Sequence, residues 1–219
     1  MTGHRSKVDG LKVLDYDFDR EFLESVQGAT QPMVRVYPFE RRAIVAGRGS
    51  DLKKEVNLSR ARADNIPIYR RMGGGCSVFL DPGNLIVSIG FPAKGLFGVQ
   101  SLFNQCSDWL IQAFKTMGLG TIYQDGISDL VMEDYKIGGS CFYRAQGLGY
   151  YSAAILVSPD LDAMDTYLGH PPREPAYRRG RPHKDFLSGL NVFVPGIKVS
   201  DLARHLETFL TPATLGLAA

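Results

Sequence analysis

The sequence predicts an α/β or α+β sheet protein, and two observations predict it. Short apolar and β-branched runs recur along the chain as strands, and amphipathic stretches at helical spacing lie between them. The balance of 44% hydrophobic and 22% charged residues over 219 positions suits one large globular domain with its own core.

Residues 1–10 read as a flexible start. Residues 17–27 carry Phe18, Phe22, Leu23 and Val26 near helical spacing, which predicts a helix. Residues 34–37 and 42–46 read as two strands joined by a Pro-Phe-Glu turn. Residues 51–64 are charged and helical in pattern, capped by Ser50 or Asp51. A short strand at 67–71 is broken by Gly73, Gly74 and Gly75, and strands at 77–80 and 84–91 flank a Pro82-Gly83 turn. The strongest helix covers 99–117, with Leu102, Phe103, Cys106, Leu110 and Phe114 as its apolar stripe and Trp109 beside it. Residues 130–133 and 135–137 read as strand, turn and strand, and 151–157 as a further strand. A helix follows at 160–168. Four prolines and several arginines make 171–184 a mobile loop or surface crossing, and 200–210 is a last helix.

The charge balance is even, with 25 basic and 23 acidic residues, and argues for neither nucleic acid nor a membrane as partner. Cys76, Cys106 and Cys141 lack metal-ligand spacing and fit a reducing cytoplasm. His170 and His183 have no zinc pattern. No stretch is long and apolar enough for a bilayer span.

Two segments carry candidate chemistry. In the first, Arg70-Arg71-Met72 precedes Gly73, Gly74, Gly75, Cys76, Ser77, Val78, Phe79, Leu80, Asp81, Pro82, Gly83 and Asn84. Three glycines let a ligand approach the backbone, their N–H groups can face an anion, and two arginines add permanent charge. The spacing excludes a P-loop and a dinucleotide fingerprint. A glycine turn with surface arginines fits the same text. In the second, Ser128-Asp129-Leu130 leads to Lys136-Ile137-Gly138-Gly139-Ser140. Lys136 suits a point charge over a carboxylate or phosphate, with Asp129 holding it or helping to bind a metal; a surface lysine in a hairpin is the plainer alternative.

Taken in order, Gly47-Arg48, Glu55-Val56-Asn57, the run 70–84, Ser128-Asp129-Leu130 and Lys136 to Ser140 resemble the lipoate–protein ligase and octanoyltransferase superfamily, related to biotin–protein ligase. The resemblance covers most of 33–196. It implies a catalytic domain with a central mixed sheet flanked by helices, of the class II synthetase-like kind. It also implies ATP-dependent activation of lipoate or octanoate to an acyl-adenylate such as lipoyl-AMP, then amide formation on a lipoyl-domain lysine. Lys136 would be the catalytic charge. Arg48, Arg70, Arg71, Gly73 to Phe79, Asp81, Asn84 and Ile137 to Ser140 would line the acyl group or adenylate, and Ser128 and Asp129 would sit near Mg²⁺. The carriers it implies are the glycine-cleavage H protein, dehydrogenase acyltransferase lipoyl domains or dedicated lipoate-binding proteins.

The chain departs from that pattern in three places. Cys76 stands where a third glycine is common. Tyr151-Ser152-Ala153 replaces a frequent His-His-Gly. The expectation is one domain over 1–219 with no accessory domain on this chain, so a separate accessory chain is a candidate partner. Two alternatives stay open. One is an ATP-independent octanoyl or lipoyl transferase using a Cys76 or Cys141 thioester, although family transferases place that cysteine later in the chain. The other is a non-catalytic lipoate-binding partner of a separate ligase. The basic stretch Arg178, Arg179, Arg181, His183 and Lys184 reads as a solvated loop, or as a segment closing over an adenylate or docking an acidic carrier.

Overall fold

A computed structural model describes residues 6–93, 98–145 and 147–215. Strands β1 (Ser6–Val8) and β2 (Leu11–Asp15) form a hairpin. Asp9 (φ 47°) and Gly10 (φ 79°) make its two-residue turn, and both need the left-handed region that Asp-Gly supplies at little cost. Part of the expected flexible start is therefore strand; residues 1–5 lie outside the described residues. Helix α1 (Arg20–Gln27) buries Phe22, Leu23 and Val26, as its spacing predicts. It then gives β3 (Met33–Pro38), β4 (Ala43–Ala46), α2 (Leu52–Glu55), α3 (Leu58–Ala63), β5 (Ile68–Arg70), β6 (Val78–Leu80) and β7 (Asn84–Pro92). Asp51 caps α2 through Lys53 N at 3.2 Å, and Asn57 caps α3 through Arg60 N at 3.2 Å, so the single expected helix is two, parted at extended Val56.

The long helix α4 (Val99–Thr116) buries Phe103, Cys106, Leu110 and Phe114. After it come β8 (Tyr123–Asp125), β9 (Asp129–Met132), β10 (Tyr135–Ala145), β11 (Leu148–Leu156), α5 (Leu161–Tyr167), α6 (His183–Phe186), α7 (Leu190–Phe193), α8 (Val199–Phe209) and α9 (Pro212–Leu215).

The fold class is the expected α+β with helices flanking sheet, and the strands divide into two sheets. One is mixed, in the order β1-β2-β5-β4-β6; the other is antiparallel, in the order β3-β7-β11-β10-β9-β8. The Pro-Phe-Glu turn therefore does not make a hairpin of β3 and β4, nor does Pro82-Gly83 pair β6 with β7: each carries the chain from one sheet to the other. Alternation along β7 shows the layering. Leu85, Val87, Ile89 and Phe91 join Tyr151, Ala153 and Ile155 of β11 in the main core with Phe103, Leu110 and Phe114 of α4 and Leu202 and Leu206 of α8. The opposite face of the antiparallel sheet turns Ile86, Tyr37 and Ala154 toward Val45, Tyr69 and Val78 of the mixed sheet. The mixed sheet packs its outer face on α2, α3, α5 and α6, where Phe79 stacks on Tyr167 at 5.2 Å.

Candidate functional site

The glycine loop leaves β5 at Arg70, and both arginines are committed to shaping it. Arg70 Nη1 donates to the carbonyl of Gly47 at 2.7 Å and to those of Arg48 and Ser50 at 3.3 Å. Arg71 donates to the carbonyls of Val45 (2.9 Å), Gly74 (2.7 Å) and Cys76 (2.9 Å). The expectation that these guanidiniums face a ligand as forks is corrected: their donors hold backbone, and their charge acts from behind the loop. Arg48 N donates to Gly73 O at 2.9 Å, and Ser50 Oγ to Gly75 O at 3.1 Å, so the Gly47-Arg48 segment is the loop's other wall. Gly75 takes φ 92°, which suits glycine. A Cβ on Gly73 would stand 2.5 Å from Cys141 Sγ, so the loop lies directly on β10.

Facing the loop is a cavity of about 740 Å³ whose lining includes Arg48, Gly74, Gly75, Tyr143, Arg144 and Arg173. That volume suits a nucleotide-sized or drug-sized ligand, and three arginines suit an anion. Lys136 does not line this cavity. It stands on the adjoining floor, at a bulge where Lys136 pairs with Val131 and Gly138 with Leu130. The extra residue, Ile137, is fully buried in the main core, and the bulge re-aims the lysine next to it. Lys136 Nζ lies 2.7 Å from Asp129 Oδ1 and 3.2 Å from where a Cβ of Gly139 would be, so the bare glycine makes room for it. Asp129 is buried, and its Oδ2 accepts from Tyr177 OH at 3.0 Å. Burial, then the neighbouring Asp129 carboxylate, push the Tyr177 hydroxyl far above the usual range, so it stays a donor. Ser140 donates to the Ser128 carbonyl through N (2.9 Å) and Oγ (3.1 Å), tying β10 to the segment that carries Asp129.

The floor beyond Lys136 is built from small side chains. Gly139 pairs with Ala154, and Cys141 with Ser152. Burial raises the Cys141 thiol, with the Arg71 charge and hydrogen bond opposing, and Cys106 is raised by burial alone in the core. Cys76 Sγ lies 3.8 Å from the Arg173 carbonyl.

Five expected ligand contacts lie elsewhere, the first being Ile137 in the main core. Phe79 is a core residue. Ser77 donates through N (2.6 Å) and Oγ (2.8 Å) to buried Glu55. Asp81 and Asn84 are buried and close the turn that crosses between sheets: Asp81 accepts from Gly83 N and Asp160 N, each at 2.7 Å, and Asn84 Oδ1 accepts from Asp81 N at 2.7 Å. Asp81→Ala strands two buried N–H groups and is expected to cost about 2–4 kcal/mol of stability. Urea unfolding reads that cost, and ligand affinity of the folded fraction should stay unchanged.

The basic stretch is a surface crossing, folded as a strap around one buried arginine. Arg178 is buried over the Phe186 ring at 4.8 Å, in a short 3-10 turn at Ala176–Arg178. Arg181 donates to the carbonyls of Asp134 (3.0 Å), Tyr177 (3.1 Å) and Asp185 (3.3 Å). Lys184 pairs with Asp162 on α5, and His183 contacts Asp165 at 3.2 Å. Burial and Arg178 lower the His183 pKa, which keeps its ring neutral at neutral pH. Tyr177 and Glu55 were not singled out from sequence as site residues; Glu55 at least stood in the Glu-x-Asn block.

Comparison with known proteins agrees with this arrangement. The family model of the lipoyl protein ligase A/B catalytic domain matches residues 14–210. Lipoate-protein ligase A subunit 1 of Thermoplasma acidophilum is 25% identical over 163 residues, covering 70% of this chain and 62% of the relative. Across the curated relatives compared, the match spans from 36% to 62% of their length. The structure of a bi-partite lipoate protein ligase and its E2 lipoyl domain from Thermoplasma acidophilum superposes with a TM-score of 0.73 at 22% identity, covering 91% of this chain and 82% of that one. A lipoate-protein ligase A bound with ATP gives 0.70 at 22% identity, with coverages of 88% and 78%. The match over nearly the whole chain places this protein in the lipoyl protein ligase A/B catalytic domain family.

Proposed function

We propose that the protein activates lipoate or octanoate with ATP and transfers the acyl group to a lysine of a lipoyl carrier domain. The observation that carries this reading is the Lys136–Asp129 pair, 2.7 Å apart and set over Gly139. In the first step an acid oxygen attacks the α-phosphorus and pyrophosphate leaves. In the second the carrier amine attacks the acyl carbon and AMP leaves. Negative charge builds up in both steps near the carboxyl–phosphate junction. An ammonium held in a half-buried site answers it without reorganising. Asp129 keeps Lys136 aimed and neutralised until an anion arrives.

ATP binding by a relative of the same fold supports a nucleotide in the arginine-rimmed cavity. Mg²⁺ is an expected companion of the phosphates. Among the described residues, no three His, Cys, Asp or Glu side chains converge on one point. The donor set fits an ion that would be held mostly by phosphate and water, with Asp129 and Ser128 the residues that would supply protein oxygens. The carrier is one of the lipoyl-bearing proteins named above, and the bi-partite organisation of the Thermoplasma ligase supports a second chain as a further partner. Among the described residues no helix is long and apolar enough to cross a membrane.

The test is incubation with lipoate, Mg·ATP and a lipoyl domain, with and without an accessory chain. Pyrophosphate release and a modified domain are expected. Transfer from an acyl-carrier thioester without ATP, lost in Cys76→Ser or Cys141→Ser, would instead establish the transferase. Desolvation raises the thiol of the half-buried Cys141, which argues against it.

A further inference from the structure

The strap between Tyr177 and Ser188 is tied to the lysine hairpin at three points. Arg181 Nη2 donates to the Asp134 carbonyl at 3.0 Å, in the turn that leads into β10. Ser188 N donates to the Lys136 carbonyl at 3.1 Å, and Leu187 bridges Lys136 as a parallel partner. Tyr177 OH donates to Asp129 Oδ2 at 3.0 Å. The first two ties hold backbone. They fix where the chain runs at Lys136 but not where its ammonium sits. The third reaches the side chain that holds the ammonium.

A lysine carries a point charge on a flexible four-carbon stem, so its backbone alone does not place the charge. Asp129 places it, with Oδ1 at 2.7 Å from Lys136 Nζ. The carboxylate must itself be fixed, because the last torsion of an aspartate is broad. Asp129 is buried, so protein partners decide its orientation. Among the described residues those partners are Lys136 and Tyr177, one on each oxygen. With Oδ2 tied to Tyr177, the carboxylate plane cannot turn freely, and Oδ1 stays aimed at the space beside Gly139. A Cβ on that glycine would stand 3.2 Å from Nζ and 3.9 Å from Oδ1, so both groups share one narrow place.

Tyr177 has a firm base. Its ring packs on Phe186 at 5.1 Å, and its carbonyl accepts from Arg181 Nη2 at 3.1 Å. Arg178 and Arg181 lie over the same Phe186 ring, at 4.8 Å and 5.4 Å. Phe186 is 1% exposed, so the tyrosine is anchored on core. A reacting group holds its geometry only when the residues behind it are locked by packing and hydrogen bonds.

We infer that Tyr177 is a positioning residue for acyl activation: by holding Asp129 it keeps the Lys136 ammonium where negative charge builds up between carboxyl and phosphate. The inference deepens the ligase reading and rests on it. Tyr177 acts through Lys136 alone. Removing its hydroxyl therefore costs nothing once the lysine side chain is gone.

The experiment measures acyl-adenylate formation from lipoate and Mg·ATP by the full chain, in the wild type, Tyr177→Phe, Lys136→Ala and the double variant. Each rate is taken per folded molecule, with the folded fraction read by urea unfolding. Tyr177→Phe keeps the ring on Phe186 and loses the hydroxyl. It is expected to lower kcat about tenfold, part of the hundredfold that a 1 Å misplacement costs. KM for ATP and for lipoate should stay unchanged, since the charge it aims acts in the transition state. In the Lys136→Ala background the same change is expected to have no effect, because residues that act as a unit are not additive. A wild-type kcat in Tyr177→Phe overturns the assignment and leaves the ligase reading standing. An equal fall in both backgrounds does the same, since a merely structural loss does not depend on Lys136. Absence of acyl-adenylate from the wild-type protein, with and without an accessory chain, removes both.

Discussion

Lys136→Ala is expected to lower the rate of acyl-adenylate formation by about a hundred- to a thousandfold, the effect of removing one preorganised charge from developing negative charge. The fold should survive the change. The side chain crosses the space above Gly139 and is a quarter exposed, and its removal leaves no cavity in the main core. Asp129 loses its ion-pair partner but keeps the Tyr177 hydrogen bond. The buried Asp129 carboxylate is left without its counter-ion, so melting temperature should fall while pyrophosphate release of the folded protein collapses. Lys136→Arg tests the geometry. A guanidinium keeps the charge, but its planar fork does not occupy the same point beside Gly139, so it should recover only a small part of the rate. A variant that forms acyl-adenylate at the wild-type rate would remove Lys136 from the chemistry. A rate that returns to the wild-type value once corrected for the unfolded fraction would make it structural.

The residues behind that prediction were legible in the sequence to different degrees. Lys136 and the glycine loop stood out, because paired glycines beside a lysine and three glycines after two arginines are unusual text. The long helix α4 was legible because burial there repeats at helical spacing over many turns. Strands β10 and β11 were seen only in part. The expected strand stops at Ile137, and β10 runs on through Gly138 to Cys141, whose small side chains leave open surface on the sheet. The Asp9-Gly10 turn is a strong local hairpin signal. Partner choice was not local at all. Pro82-Gly83 announces a turn, and nothing in it says that the next strand joins another sheet. The same holds for Asp81 and Asn84, which sit inside a ligand-loop motif but serve the turn. The contacts of Tyr177 with Asp129, and of Tyr150 with Asp19, join residues 48 and 131 positions apart. No pattern of spacing finds such pairs before the sheets are assembled.

Gly47→Ala should be the most damaging single methyl group added near the site. Gly47 and Gly75 meet backbone to backbone. A Cβ on Gly47 would stand 2.0 Å from Gly75 O and 3.2 Å from Gly74 C, and neither atom belongs to a side chain that can swing away. The loop must lift. Lifting strains the hydrogen bonds of Arg70 Nη1 to Gly47 O and of Ser50 Oγ to Gly75 O, and it carries Gly73 away from Cys141. Overpacking of this kind costs about 1–3 kcal/mol in stability, which urea unfolding reads directly. The larger effect is expected in turnover. Displacing a ligand-positioning loop by about 1 Å costs about a hundredfold in rate when the reacting atoms must stay aligned. On the proposed reading the loop positions the acid while Lys136 supplies the charge, so kcat/KM for the acid should fall further than kcat. Gly49→Ala is the control, since a Cβ there meets nothing within 4 Å although the residue lines the same cavity. Near-wild-type activity in Gly49→Ala beside the collapse of Gly47→Ala would locate the requirement in the backbone contact. Equal losses in both would mean that the cavity rim, not the docking of the loop, limits the reaction.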